Sequence, residues 1–265
     1  MRLLIVDIDG TLTVGEDVPH RTRDAFARLR AAGWETMIAT GRPWSLARSH
    51  AEAIGVARRA IVCNGARVVD AAGRVLHSSP MDDELAARVL RHVWRLPAEI
   101  QLMGVDGFSC RPGDDDTRRF YGSAGPLRLL DEPDLPERIL CVGLWARPEL
   151  RDELDRDLRD RFGAEADICA GGPCSIDVLA KGVSKGSALD WVLRNLGERP
   201  ERVVAAGDHG NDLELLRRAD VAAAPIDASP DVLREADVVY PPAGTEGICE
   251  LIERLLEERP LKEEI

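Results

Sequence analysis

The sequence predicts an α/β protein whose parallel sheet is interrupted by an inserted α+β segment. In the first seventy residues, short β-branched runs alternate with amphipathic stretches, and the same alternation resumes from Ser184 onward. Between these two regions the apolar runs lie further apart, and prolines interrupt them. We therefore expect one discontinuous sheet domain, formed by residues 1–80 and 181–265, and a separate inserted domain at residues 81–180.

The first part of the sheet domain is predicted to contain three strands, two helices and a hairpin. Gly33 is well placed to stop the first helix, and Pro43 to start the second. In chain order, the expected elements are strand Leu3–Val6, helix Pro19–Ala32, strand Glu35–Ala39, helix Pro43–Ile54, strand Ala60–Cys63 and hairpin Val68–Leu76.

The inserted domain is predicted to contain two helices and four strands. These are helices Asp82–Arg95 and Pro148–Arg161 and strands Glu99–Met103, Ile139–Trp145, Ala166–Cys169 and Ser175–Leu179. The acidic run Asp114–Asp116 is either a solvated loop or a helix start. After the insertion we expect helix Ser184–Asn195, strand Arg202–Ala206, helix Asp212–Arg218 and a final helix Gly247–Glu257.

The composition narrows the class of partner. A net charge of −12 over 265 residues argues against nucleic acid or an anionic membrane, since both favour clustered Lys and Arg. Six scattered cysteines form no C-x-x-C pair, so neither a zinc site nor a disulfide framework is indicated. The apolar run at the N-terminus is too short for a signal peptide, and no segment reaches membrane-spanning length. The expected location is the cytoplasm.

Two carboxylates are expected to meet where the first strand ends. The run Asp7-Ile8-Asp9-Gly10-Thr11 follows that strand, and period-two alternation directs Asp7 and Asp9 to the same side. Like charges this close disfavour joint ionisation, so the pair predicts either one shared proton or a divalent metal. Taken alone, D-x-D-G is also a common calcium or turn motif.

A second acidic loop, Gly207-Asp208-His209-Gly210-Asn211-Asp212, follows another apolar strand. Ligands of open parallel sheets gather beyond the carboxyl ends of the strands, so acids at the ends of two strands can share one hard cation. Helix capping by Asp208 or Asn211 is the alternative, although capping alone does not require the coincidence with the first acidic loop. A hard cation prefers oxygen ligands, so His209 is left out of the predicted metal shell.

Two further features suit an anion. Thr40-Gly41-Arg42 lies between a strand and a helix, where a hydroxyl, backbone N–H groups and a helix N-terminus can hold a phosphate oxygen; a plain turn capped by Thr40 is the alternative. Lys185 lies in the first turn of a helix, which is electrostatically unfavourable for a cation. A nearby anion would explain it, whereas an ordinary solvent-exposed lysine is the competing interpretation.

Taken together, four segments resemble the four motifs of the haloacid dehalogenase (HAD) superfamily in order and spacing. They are Asp7-x-Asp9-Gly10-Thr11, Thr40-Gly41-Arg42, Lys185 and Gly207-Asp208-x-x-Asn211-Asp212. More narrowly, the chain resembles the Cof-type sugar-phosphate phosphatases, because Cys63-Asn64-Gly65-Ala66 follows the third strand and Gly-Val-Ser-Lys-Gly precedes the last motif. The resemblance implies a Rossmann-like core with residues 81–180 as a mobile C2-type cap that closes over the active site.

The resemblance also implies the roles of the site residues. Asp7 would be the nucleophile that forms an aspartyl-phosphate, and Asp9 the acid that protonates the leaving oxygen and then the base that activates water. Mg²⁺ would be held by the Asp7 carboxylate, the Asp9 main-chain carbonyl and Asp208. The other implied residues are Thr40, Gly41, Lys185 and Asn211 as phosphate ligands, with Thr11 and Asp212 as supports.

The expected reaction is hydrolysis of a small phosphomonoester such as a sugar phosphate, because a large cap would exclude protein and nucleic-acid substrates. Asp9 favours phosphate chemistry, since haloacid dehalogenases proper lack this second acid and need no metal. Arg42 and Asn64 are nominated as substrate contacts, and the assembly is expected to be a monomer or homodimer. Two alternatives stay open: a phosphomutase or phosphotransferase acting on sugar phosphates, and a catalytically silent module that binds a metabolite.

Overall fold

The chain divides into two compact units. The computed structural model describes residues 1–15, 17–242 and 247–257. The core unit combines Met1–Leu76 with the chain from Lys185 onward, and the inserted unit is His77–Ser184. Each unit has its own sheet or sheets and its own hydrophobic core.

Fourteen strands occur in the described residues and are numbered here in chain order. They are β1 (Arg2–Val6), β2 (Trp34–Ile38), β3 (Arg59–Val62), β4 (Arg67–Asp70), β5 (Val75–Ser78), β6 (Glu99–Gly104), β7 (Phe108–Cys110), β8 (Leu127–Leu129), β9 (Ile139–Trp145), β10 (Ala166–Cys169), β11 (Ser175–Ala180), β12 (Arg202–Ala206), β13 (Val221–Pro225) and β14 (Val238–Tyr240).

The helices of the described ranges are α1 (His20–Ala31), α2 (Trp44–Ala53), α3 (Asp83–Val93), α4 (Asp115–Tyr121), α5 (Pro148–Phe162), α6 (Lys185–Arg194), α7 (Leu213–Leu216), α8 (Pro230–Glu235) and α9 (Gly247–Leu256). Two short 3-10 turns, Cys63–Gly65 and Gly210–Asp212, follow β3 and β12 respectively. None of these helices is long and apolar enough to cross a membrane.

The main sheet of the core unit is parallel, with strand order β14-β13-β12-β1-β2. A single parallel bridge between Ala39 and Ile61 places β3 beside the end of β2, and β3 continues into a three-stranded sheet with β4 and β5. Because β1 lies between β2 and β12 and is parallel to both, the chain segments that follow these three strands leave the sheet at one edge.

Small and branched apolar side chains fill the core unit, as the low aromatic content requires. One cluster joins strand residues such as Leu3, Ile5 and Val203 to Leu189 and Val192 of α6. Strand β1 is buried from Leu3 onward, which is typical of parallel strands covered on both faces. This packing holds the strand ends firmly in register.

The inserted unit contains a six-stranded sheet in the order β10-β11-β9-β6-β7-β8. Its pairs are antiparallel except β7 with β8. Alternate residues of the sheet form a second apolar core with side chains of α3 and α5, among them Val89 and Leu158. The sequence analysis missed β7 and β8, because three-residue strands are too short to show alternation. The acidic run begins α4, where Glu99 accepts a hydrogen bond from the Thr117 N–H at 2.7 Å.

Helices α6 and α7 approach so closely that only glycine fits at position 186. A Cβ added there would lie 2.2 Å from the Glu214 carbonyl oxygen. We expect Gly186→Ala to lower the free energy of unfolding by about 1–3 kcal/mol in urea titrations, because the helices must move apart. Gly15→Ala is the control, since an added Cβ there meets nothing within 4 Å. A Gly186→Ala protein as stable as the wild type would contradict this close packing.

Candidate active site

The two acidic loops leave adjacent strands at the same level. In the β1–β12 pair Val6 is aligned with Ala206, and the Asp7 N–H continues the ladder by donating to the Ala206 carbonyl at 3.0 Å. The residues that follow these strand ends, Asp7 and Asp208, therefore emerge side by side. Parallel pairing brings together two parts of the chain that are about two hundred residues apart in sequence.

Three carboxylates converge at this edge. Asp7, Asp208 and Asp212 are buried, and each offers an oxygen within 4.8 Å of the others. Two glycines make the convergence possible. A Cβ on Gly10, which has φ +79°, would lie 2.2 Å from an Asp208 oxygen, and one on Gly207 would lie 2.4 Å from the Asp212 carboxyl carbon.

A buried lysine joins two of these acids. Lys185, the first residue of α6, is 0% exposed; its Nζ lies 2.9 Å from Asp7 Oδ1 and 2.7 Å from Asp212 Oδ1. Burial by itself lowers the pKa of Lys185, but the Asp212 and Asp7 carboxylates outweigh it, and the pKa lies above the usual value. The ammonium therefore remains charged, and the anion expected near this helix start is supplied by the protein itself.

The charge around Lys185 is not balanced. Burial raises the pKa of Asp7 well above its usual value; Lys185 opposes this shift, while Asp212 and Asp208 add to it. Burial likewise raises the pKa of Asp212. One ammonium among three carboxylates leaves an excess of negative charge, which either a bound proton or a second cation can relieve.

The donor set fits a hard divalent cation such as Mg²⁺, because it consists of carboxylate oxygens. The oxygens of Asp212 are already engaged: Oδ1 by Lys185, and Oδ2 by the N–H groups of Asp208 and His209 at 3.1 and 3.3 Å. Asp212 thus binds both the lysine and the backbone of its own loop.

Two neighbours orient Asp208. The Thr11 hydroxyl donates to Asp208 Oδ1 at 3.1 Å, and His209 Nδ1 contacts Asp208 Oδ2. This hydrogen bond to Asp208 is the main reason why the pKa of His209 is raised. The sequence analysis assigned no role to His209, because its position inside an acidic loop does not reveal that the ring turns toward the adjacent carboxylate.

Asp9 is not one of these three clustered carboxylates. Its side chain is about half exposed, and Arg42 binds both of its oxygens, with Nε 2.8 Å from Oδ2 and Nη2 2.5 Å from Oδ1. Arg42 is itself almost buried. Arg42, which the sequence analysis nominated as a substrate contact, therefore fixes the orientation of the Asp9 carboxylate.

The loop after β2 is stabilised from within. Thr40 is completely buried, and its hydroxyl accepts the Arg42 N–H at 3.1 Å. The Asn64 side chain lies against Gly41, and its Oδ1 accepts a hydrogen bond from Asn211 Nδ2 at 3.0 Å. Thus Thr40, Gly41, Asn64 and Asn211 also occur near one another, at the ends of three strands of the core unit.

Tyr240, at the end of β14, is a further residue that the sequence analysis did not select. Its side chain is buried, and its hydroxyl has no hydrogen-bond partner among the described residues. Burial, followed by the charge of Asp208, raises its pKa well above the usual value. A tyrosine ending a short apolar strand carries no sequence signal of this proximity.

Comparison with curated proteins reveals relatives along most of the chain. An HMP-PP phosphatase of Yersinia pestis is 32% identical over 222 residues, covering 82% of this chain and 81% of the relative. An HMP-PP phosphatase of Yersinia pseudotuberculosis is 31% identical over the same length and with the same coverage.

Solved structures share the fold. SMU.1108c from Streptococcus mutans superposes with a TM-score of 0.84 at 22% identity, covering 97% of this chain and 99% of the other. A sugar phosphatase of HAD subclass IIB, BT4131, superposes with a TM-score of 0.81 at 24% identity, covering 96% and 99%. At these identities the similarity establishes the fold alone.

The family model for haloacid dehalogenase-like hydrolases matches residues 4–252, which include every segment that carried the resemblance. The predicted membership is confirmed: the chain belongs to the haloacid dehalogenase-like hydrolase family.

Proposed function

We propose that this protein is a Mg²⁺-dependent phosphatase that hydrolyses a small phosphomonoester through an aspartyl-phosphate on Asp7. The observation that carries the proposal is the buried group of Asp7, Asp208 and Asp212 with the Lys185 ammonium between two of its members. A relative named as a phosphatase, at 32% identity over 82% of this chain, supports the same reaction class.

In the first step, a carboxylate oxygen of Asp7 attacks phosphorus and the bond from phosphorus to the ester oxygen breaks. Asp9 donates a proton to the departing oxygen, so that an alcohol leaves. In the second step, water attacks the phosphorus of the aspartyl-phosphate while Asp9 accepts its proton. The acyl phosphate P–O bond then breaks, which releases inorganic phosphate and restores Asp7.

Phosphoryl transfer depends on positioning and on neutralising the phosphoryl oxygens. Lys185 supplies a buried positive charge beside the nucleophile. We assign Thr40, the Gly41 N–H and Asn211 to the same oxygens, since they lie at neighbouring strand ends. Arg42 holds Asp9 in a fixed orientation through its two hydrogen bonds.

The metal would be held by the carboxylates of Asp7 and Asp208, with the Asp9 main-chain carbonyl as the third protein ligand. When bound, Mg²⁺ supplies positive charge that offsets the three carboxylates and the incoming phosphate. Thr11 and Asp212 would act from outside this ligand set, Thr11 on the Asp208 side chain and Asp212 on the loop backbone.

We also propose that the inserted unit serves as the cap and selects a small metabolite. It is a separate α+β unit that follows the second motif and ends at Ser184, immediately before Lys185. One relative is named for HMP-PP and one structural neighbour is a sugar phosphatase. Both names support small phosphorylated metabolites as the substrate class.

Replacing the nucleophile tests the proposal directly. Asp7→Asn, freshly prepared and free of deamidation, should lower kcat by at least about a thousandfold in phosphate-release assays on a panel of phosphorylated metabolites. EDTA should abolish wild-type turnover, and added Mg²⁺ should restore it. Asp24→Asn, an equal change of charge on exposed α1, is the control. Full activity of the Asp7→Asn protein would refute the mechanism.

Asp9 can be tested through the leaving group. An alkyl phosphate needs the proton of a general acid, whereas p-nitrophenolate leaves without one. Asp9→Asn should therefore lose about 10²–10⁴-fold in rate with a sugar phosphate. With p-nitrophenyl phosphate it should still give a rapid burst of one equivalent, followed by slow turnover, since attack of water lacks its base. Equal losses at both steps with both substrates would argue against this role.

We expect the hydroxyl of Thr11 to affect activity through the binding of Mg²⁺. Thr11→Val leaves Asp208 Oδ1 without its donor, so we expect the Mg²⁺ concentration for half-maximal activity to rise about tenfold. Thr11→Ser keeps the hydroxyl and should remain close to wild type. An unchanged Mg²⁺ requirement in Thr11→Val would show that Thr11 does not act through Asp208.

A further inference from the structure

The turn that follows β3 has an unusual backbone. Cys63 and Asn64 both have φ +52°, and Gly65 has φ +93°. Among the described residues, Cys63 and Asn64 are the two non-glycine residues with positive φ. Asparagine tolerates this left-handed region and cysteine rarely adopts it, so the surroundings must hold the turn in place.

Backbone hydrogen bonds connect this turn to the loop after β2. The Cys63 N–H donates to the Arg42 carbonyl, and the Asn64 N–H donates to the Thr40 carbonyl, both at 3.0 Å. The two acceptors flank Gly41 in the sequence. The left-handed conformation thus ties the turn to both sides of the segment proposed to bind phosphate.

The Asn64 side chain makes a second connection, to the loop after β12. The side chain is 1% exposed, and its Oδ1 accepts a hydrogen bond from Asn211 Nδ2 at 3.0 Å. A Cβ on Gly41 would lie 3.2 Å from both terminal atoms of the Asn64 amide. One side chain therefore lies between the Gly41 backbone and the Asn211 amide.

This contact decides which way the Asn211 amide points. With the Asn64 oxygen facing Asn211, the nitrogen of Asn211 points toward it, because reversing the Asn211 amide alone would place two oxygens against each other. One N–H of Asn211 is used in this way, and the amide carries a second N–H. Asn211 Oδ1 is buried and has no partner among the described residues, so no other bond to that oxygen sets the orientation.

We propose that Asn64 is a positioning residue for the phosphoryl group. It does not contact the substrate itself; it orients Asn211 and holds the Gly41 backbone, so that their N–H groups are arranged before phosphate binds. This inference rests on the proposed function, and it differs from the nomination of Asn64 as a substrate contact.

The test variant is Asn64→Gly, because glycine adopts positive φ freely and only the amide is lost. We expect its thermal midpoint to be unchanged or higher, while KM and the inhibition constant of inorganic phosphate both rise about 5–15-fold, the effect of one hydrogen bond. Cys63→Gly is the matched control, since it removes the adjacent left-handed cysteine and keeps the amide. Its phosphate inhibition constant should equal that of the wild type.

A double-mutant cycle separates positioning from general loosening of the structure. If Asn64 acts in part through Asn211, Asn64→Gly should raise the phosphate inhibition constant by a smaller factor in an Asn211→Ala protein than in the wild type, with the Gly41 contact accounting for the remainder. Additive effects, or an Asn64→Gly protein with wild-type KM and phosphate inhibition, would overturn the proposal. The proposal would also be overturned if Cys63→Gly raised the phosphate inhibition constant as much as Asn64→Gly does.

Phosphate binding, measured without turnover, tests the role of Asn64 separately from the proposed phosphatase function. The rise in thermal midpoint on adding inorganic phosphate with Mg²⁺ should be smaller in Asn64→Gly than in the wild type. A wild type that shows the shift but hydrolyses no substrate would refute the proposed function alone, and the Asn64→Gly comparison would still decide the role of Asn64. A shift of equal size in both proteins would refute that role.

Discussion

The ion pairs of Lys185 with Asp7 and Asp212 are the interaction on which the rest of the core unit depends. A fully buried ammonium is costly unless it is paired, and removing Lys185 would leave the carboxylates of Asp7 and Asp212 without their buried counter-charge. The three groups come from the segment after β1, the start of α6 and the turn after β12. The parallel sheet must therefore be complete before this site can exist, which links folding of the discontinuous core to formation of the site.

Even with these ion pairs, the site has three carboxylates and one ammonium. Asp208 adds a third carboxylate, held by Thr11 and contacted by His209. A site with this charge repels an anionic phosphate unless a cation is present. The net charge of the whole chain, −12, therefore does not describe how the site interacts with an anionic substrate. What matters is one lysine among three acids in a volume shielded from water.

Glycine and left-handed backbone allow the loops to approach each other. Gly10 and Gly207 admit the carboxylates of Asp208 and Asp212 at distances that a Cβ would prevent. On the other side of the site, the turn at Cys63 and Asn64 adopts positive φ and is bonded to the loop after β2. Unfavourable local conformations persist because buried hydrogen bonds fix them, and they occur where the strand ends meet.

The sequence by itself determined the parallel sheet, the insertion and the convergence of Asp7 with Asp208, because strand periodicity and the polarity of parallel strands are properties of local sequence. Only the tertiary structure decided which side chains pair. Arg42 binds both oxygens of Asp9, and Asn64 meets Asn211 from 147 residues away. The three-residue strands β7 and β8 also escaped detection. Such contacts depend on loop paths and burial across the chain, which no local pattern of residues encodes.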